Sequence, residues 1–95
     1  MAEVSLPVRN RSGLHARPAA EFVKAAAAFS SRIEVVNLTR DPERAVDAKS
    51  ILGVLSIGVS PGHEIRITAC GDDAEDALVG LRALVDSGFG ELPVE

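Results

Sequence analysis

Apolar and polar positions alternate at the start of the chain. Val4, Leu6 and Val8 are separated by Ser5 and Pro7 and flanked by Glu3 and Arg9, the period of a strand with one buried face. Pro7 has no N–H to give a neighbour, so this strand suits a sheet edge. Asn10-Arg11-Ser12-Gly13 is turn chemistry, after which the period changes. Ala19, Phe22, Val23, Ala26 and Ala27 form one stripe of a helix over 16–28, strengthened by the alanine run at 25–28. Pro18 is tolerated in its first turn, where an N–H has no partner anyway. Ser30-Ser31 ends that helix, and 32–38 reads as a strand whose alternation is broken by adjacent Val35 and Val36.

A turn over 39–44 holding Asp41-Pro42 leads to a short strand at 45–47 and a short helix from 49 to about 55. That helix places Ile51, Leu52 and Leu55 on one side, a spacing that predicts one or two of them in the core. A loop at 58–62 precedes the clean alternation of 64–69, with Ile65, Ile67 and Ala69 inward. The last helix carries Ala74, Ala77, Leu78, Leu81, Leu84 and Val85 at helical spacing. Asp72 or Asp73 is placed to cap it, Glu75 lies three residues after Asp72 as a capping box requires, and Gly88 lies past its end. The order β-α-β-β-α-β-α, one apolar face per element, implies an α/β two-layer sandwich (α+β), with one sheet face covered and the other wet. Residues 1–88 are expected to form one domain, and 89–95 a loosely ordered tail.

Composition narrows the function classes. With 46% apolar residues in 95 the chain can build one core, and with three Phe and no Trp or Tyr that core is aliphatic. A net charge of −4 and the scarcity of stacking rings argue against nucleic acid. The longest uncharged run, 50–62, holds two glycines and a proline and does not suit a bilayer span, and no signal peptide is visible. Cys70 stands alone, so an internal disulfide is excluded. This fits a reducing cytoplasm, with Cys70 read as a small buried hydrophobe.

The chemistry concentrates in 10–20. His15 stands at the mouth of a helix, Arg17 follows two residues later, and Pro18 opens the first turn. Free N–H groups and the positive end of a helix favour an anion, and a guanidinium adds donors matched to phosphate oxygens. Imidazole is nucleophilic and largely neutral near pH 7, so this arrangement can take up and release a phosphoryl group. A capping or merely exposed histidine explains the same residues equally well on physical grounds alone. His63 and Cys70 do not have metal-ligand spacing with His15, and no metal or cofactor is expected.

Gly13-Leu14-His15-Ala16-Arg17-Pro18-Ala19 resembles the active-site signature of the HPr family, the histidine phosphocarriers of the bacterial phosphoenolpyruvate-dependent sugar phosphotransferase system. Ala48-Lys49-Ser50-Ile51-Leu52-Gly53-Val54-Leu55-Ser56-Ile57-Gly58-Val59 resembles that family's regulatory-serine helix, and Gly62-His63-Glu64-Ile65 the start of its last strand. The resemblance implies a four-stranded antiparallel sheet of order 1-4-2-3 under three helices. It further implies that His15 takes phosphate on Nδ1 from phosphorylated enzyme I and hands it to sugar-specific IIA components. Arg17, the first-turn amides near Ala16 and Arg17, and Ser12 would steady the phosphoryl group. Ser50 would be the site of an HPr kinase/phosphorylase, with a plain helix cap as its other reading. Ile51, Leu52 and Leu55 would form the docking rim, with Lys24 and Lys49 as a basic fringe.

Such a protein is a carrier, not a turnover enzyme, and is expected to be monomeric. Three other readings remain in view. One is a module of a dihydroxyacetone-kinase or fused multiphosphoryl relay, suggested by the 87–91 tail. Another is a Ser50-based regulatory protein, of a type that typically lacks the active histidine. The third is an acylphosphatase-like hydrolase, whose arginine–asparagine pair is not identifiable. The stretch 39–44 is about four residues longer than in typical members of the family and is expected to lie far from His15.

Overall fold

The computed structural model describes residues 1–91. Four strands, β1 (Ala2–Pro7), β2 (Arg32–Asn37), β3 (Ala45–Asp47) and β4 (Glu64–Cys70), form one antiparallel sheet of order β1-β4-β2-β3. Three helices, α1 (Ala16–Ala27), α2 (Ile51–Ser56) and α3 (Ala74–Asp86), complete the β-α-β-β-α-β-α order expected from the sequence. Pro7 lies in an edge strand opposite Glu64, where its missing N–H leaves no gap inside the sheet.

Alternation sorts the side chains as the pattern requires. Leu6, Ile33, Val35, Ile65, Ile67 and Ala69 point into an aliphatic core closed by Phe22 and Ala26 of α1 and Ala77, Leu81 and Val85 of α3. Burying each large member contributes about 1.5–3 kcal/mol. Val36 is also buried but lies outside that core cluster, as expected of the residue next to Val35 in a pleated strand.

Four expectations are corrected. Cys70 is an exposed free thiol: with Ile65, Ile67 and Ala69 inward, strand parity turns residue 70 outward. Helix α2 begins at Ile51, not Lys49, and its buried residue is Val54, while Ile51, Leu52 and Leu55 are all exposed. Asp73 is the N-cap of α3 but makes no capping bond to it. Its carboxylate instead accepts from the Ser30 amide at 2.8 Å, the Ser31 amide at 2.9 Å and the Ser31 hydroxyl, tying the α1–β2 turn to the start of α3. These bonds, the Ser31 hydroxyl foremost, pull the Asp73 carboxyl down from its ordinary 3.8 to about 2.

The fourth correction concerns the segment after α3. Gly88–Gly90 makes a tight left-handed turn, with φ of +68°, +54° and +76° in order, that drives Phe89 into the core at 3% exposure. The start of the tail is therefore packed, and only residues 92–95 of it fall outside the described residues. Among the described residues, no helix is long and apolar enough to cross a membrane.

Candidate phosphoryl-acceptor site

The loop into α1 is built around Gly13. Its φ of +60° suits glycine, and a Cβ there would stand 2.3 Å from the Val59 carbonyl oxygen. That carbonyl accepts from the Leu14 amide at 3.0 Å, and Leu14 is fully buried, so the residue before His15 is anchored twice. His15 is the N-cap of α1 in extended conformation (φ −125°, ψ 162°), exposed, with a side chain that makes no capping bond. Ala16 then takes φ +51°, a left-handed conformation costing an alanine about 1–2 kcal/mol. Among the described residues the amides of Ala16 and Arg17 have no hydrogen-bond acceptor. A solvent-facing imidazole thus stands beside two free N–H groups at the positive end of a 12-residue helix.

Arg17 is exposed on this rim but already engaged. One terminal nitrogen pairs with Glu21 at 2.5 Å, the (i, i+4) spacing of a helix pair. The other donates to the Phe89 carbonyl at 3.0 Å and lies 3.7 Å from Glu91 Oε2. Ser12 completes the group: its amide donates to Glu91 Oε1 at 3.0 Å and its hydroxyl to Oε2 at 2.9 Å. Buried Asn10 donates through Nδ2 to Gly13 O and to Glu91 Oε1, both at 3.0 Å, and among the described residues its Oδ1 has no partner. The Asn10 amide, then the Ser12 donors, with Arg17 adding to them, lower the Glu91 carboxyl below its ordinary value despite its burial.

Ser12, Ala16 and Arg17 thus flank His15 along the loop and first turn, and Asn10, Glu21 and Glu91, none of them singled out by the sequence, bond to this group. The Arg17–Glu21 spacing was readable. Glu91, 81 residues from Asn10, gave no periodic signal.

The remaining candidates lie along α1 and α2, which pack together. Ser50 caps α2, its hydroxyl accepting from the Gly53 amide at 3.1 Å. Ile51, Leu52 and Leu55 are 40%, 77% and 38% exposed, an aliphatic face open to solvent. Lys24 is exposed in the last turn of α1, whereas the Lys49 ammonium donates to the Phe29 carbonyl at 2.7 Å, beyond the end of that helix. The 39–44 stretch lies against the end of α2, with Arg44 donating to the Ser56 hydroxyl at 3.0 Å. Among the described residues no cluster of three or more His, Cys, Asp or Glu is placed to hold a metal ion.

A sandwich of this topology, with an exposed histidine at a helix mouth lined by donors, is the architecture of a small histidine phosphocarrier. Residues 2–87 match the family described as the PTS HPr component phosphorylation site, and the chain belongs to that family. It is 43% identical over 84 residues to a multiphosphoryl transfer protein of Haemophilus influenzae, covering 88% of this chain and 17% of that one. The chain therefore spans about a fifth of the length of such relatives. It is 44% identical over 85 residues to the HPr-like protein Crh of Bacillus subtilis, covering 90% of this chain and 95% of that one. Among solved structures, HPr-C-His from Thermoanaerobacter tengcongensis is 47% identical with a TM-score of 0.89, covering 97% of this chain and 99% of that one. A dimeric HPr from the same organism, also 47% identical, reaches 0.73 over 96% and 100%.

Proposed function

We propose that this chain carries a phosphoryl group on His15, taken from phosphorylated enzyme I and passed to sugar-specific IIA components in the cytoplasm. The observation that carries this reading is the exposed His15 imidazole beside the unpartnered amides of Ala16 and Arg17. In the transfer, the Nδ1 lone pair of His15 forms the new N–P bond as the donor's N–P bond breaks and returns its electron pair to the donor imidazole. One proton passes through solvent from the newly phosphorylated ring to the donor ring, so charge balances. The amides and the Arg17 guanidinium receive the phosphoryl oxygens, and Ser12 approaches them from the preceding loop. The chain acts as a carrier, with no substrate pocket of its own in this step. It works as a monomer whose carrier domain runs from the first strand through the packed 88–91 turn.

Ile51, Leu52 and Leu55 supply the apolar rim for brief, exchangeable docking, with Lys24 and Lys49 at its basic edge. A phosphate on Ser50, placed by an HPr kinase/phosphorylase, would add roughly −1.5 to −2 charge beside this rim and weaken docking. A second reading, a module of a multiphosphoryl relay, has the same chemistry with a different recipient. It is favoured by the similarity to proteins about five times longer than this chain.

The test is transfer from phosphoenolpyruvate through enzyme I, read by intact mass. One acid-labile phosphate is expected on the wild type and none on His15→Ala. Absence of transfer to the wild type, with a known HPr charged in parallel, would sink the carrier reading.

A further inference from the structure

Every group that reaches the Glu91 carboxylate is a donor: the Ser12 amide, the Ser12 hydroxyl and the Asn10 amide nitrogen, with the Arg17 guanidinium 3.7 Å away. The contact is built rather than incidental. Phe89 is locked in the core by its left-handed turn, its carbonyl accepts from Arg17, and the Glu91 side chain keeps only 19% of its exposure. A carboxylate and a phosphoryl group present the same face to such donors, oxygens with negative charge that accept short hydrogen bonds. In the resting chain both terminal nitrogens of Arg17 are committed, one to Glu21 and one to the 89–91 strap. The groups that bracket His15 in sequence are therefore already satisfied by an anion from the far end of the fold.

We propose that Glu91 is an internal anionic ligand of the acceptor site, occupying Ser12 and Arg17 until the phosphoryl group arrives and displaces it. This rests on the reading of His15 as the phosphoryl carrier. Two anions on one set of donors repel, so loading His15 requires the strap to release Ser12 and Arg17. Glu91 thereby sets how readily the carrier accepts phosphate and how readily it gives it up.

The test compares wild type, Glu91→Gln and Glu91→Ala with enzyme I and phosphoenolpyruvate, following the initial charging rate by mass and the Ser12 amide by NMR. Both variants should charge about three- to fivefold faster, the factor expected for one charge removed from a partly exposed site. The wild-type Ser12 amide should also shift on phosphorylation. Charging at an unchanged or reduced rate in both variants would overturn the proposal, making Glu91 a support for Arg17 instead of its competitor. A titration of the uncharged proteins with inorganic phosphate separates this proposal from the His15 reading. If no form is charged, the carrier reading fails and the titration alone decides. Tighter phosphate binding at the Ser12 amide in Glu91→Gln upholds the competitor role, and equal binding in both forms overturns it.

Discussion

Helix α1 has a carboxylate clamp at each end, and the two are nearly the same device put to different use. Beyond its C-terminus, Asp73 takes the amides of Ser30 and Ser31 and the Ser31 hydroxyl. At its N-terminus, Glu91 takes the amide and hydroxyl of Ser12 and the side-chain amide of Asn10. In both, a serine offers its N–H and O–H together to a carboxylate from a distant segment. What differs is the surroundings. No cation lies within salt-bridge distance of Asp73 among the described residues, whereas Glu91 faces Arg17, beside the left-handed Ala16 and its free amides. The first clamp has nothing to exchange with. The second shares its donors with the site proposed above to receive a phosphoryl group. The chemistry of a hydrogen-bonded carboxylate is thus neutral as to function, and its neighbours decide whether it is a tie or a competitor.

The largest effect should come from deforming the mouth itself. Gly13→Ala combines a left-handed alanine with a clash against the Val59 carbonyl, and is expected to destabilise the fold by about 2–4 kcal/mol in urea unfolding. Next is the structural clamp. A carboxylate held near 2 in the fold and at its ordinary 3.8 when unfolded contributes stability that is complete above the unfolded value. That stability is lost as pH falls through the folded one. Thermal unfolding between pH 5 and about 2 should therefore show an acid-side fall in wild type that Asp73→Asn largely removes, while the variant melts lower at neutral pH and charges His15 normally. The smallest stability effect is expected at the other clamp. Glu91→Gln keeps an acceptor for Ser12 and frees Arg17, so its melting temperature should stay closer to wild type than that of Asp73→Asn. A larger drop for Glu91→Gln would make both clamps structural and erase the contrast.

Most of the sheet and the long helices were legible because local pattern and tertiary role agree. Ile65, Ile67 and Ala69 alternate inward, and Ala77, Leu81 and Val85 fall on one stripe. The candidate loop could be picked out as well, since His15, Arg17 and Pro18 fall within four positions. The failures share one cause, which is that partners distant along the chain leave no periodic trace. Asp73 stands where a capping residue belongs, yet two serines more than forty residues away take its carboxylate. Gly88-Phe89-Gly90 looks like slack chain until the core supplies a socket for the ring. The short α2 departs from its apolar spacing for a related reason. A six-residue helix meets the core with one side chain, and Val54, not its more conspicuous neighbours, fills that place.

The strand order has a kinetic consequence. Only β2 and β3 are joined by a short connection, whereas β1 must find β4 roughly 60 residues further along, at a loop-closure cost that no local contact repays. The N-terminal strand has no sheet neighbour but β4, so during synthesis the opening residues of the chain wait for the segment at 64–70 before they can pair.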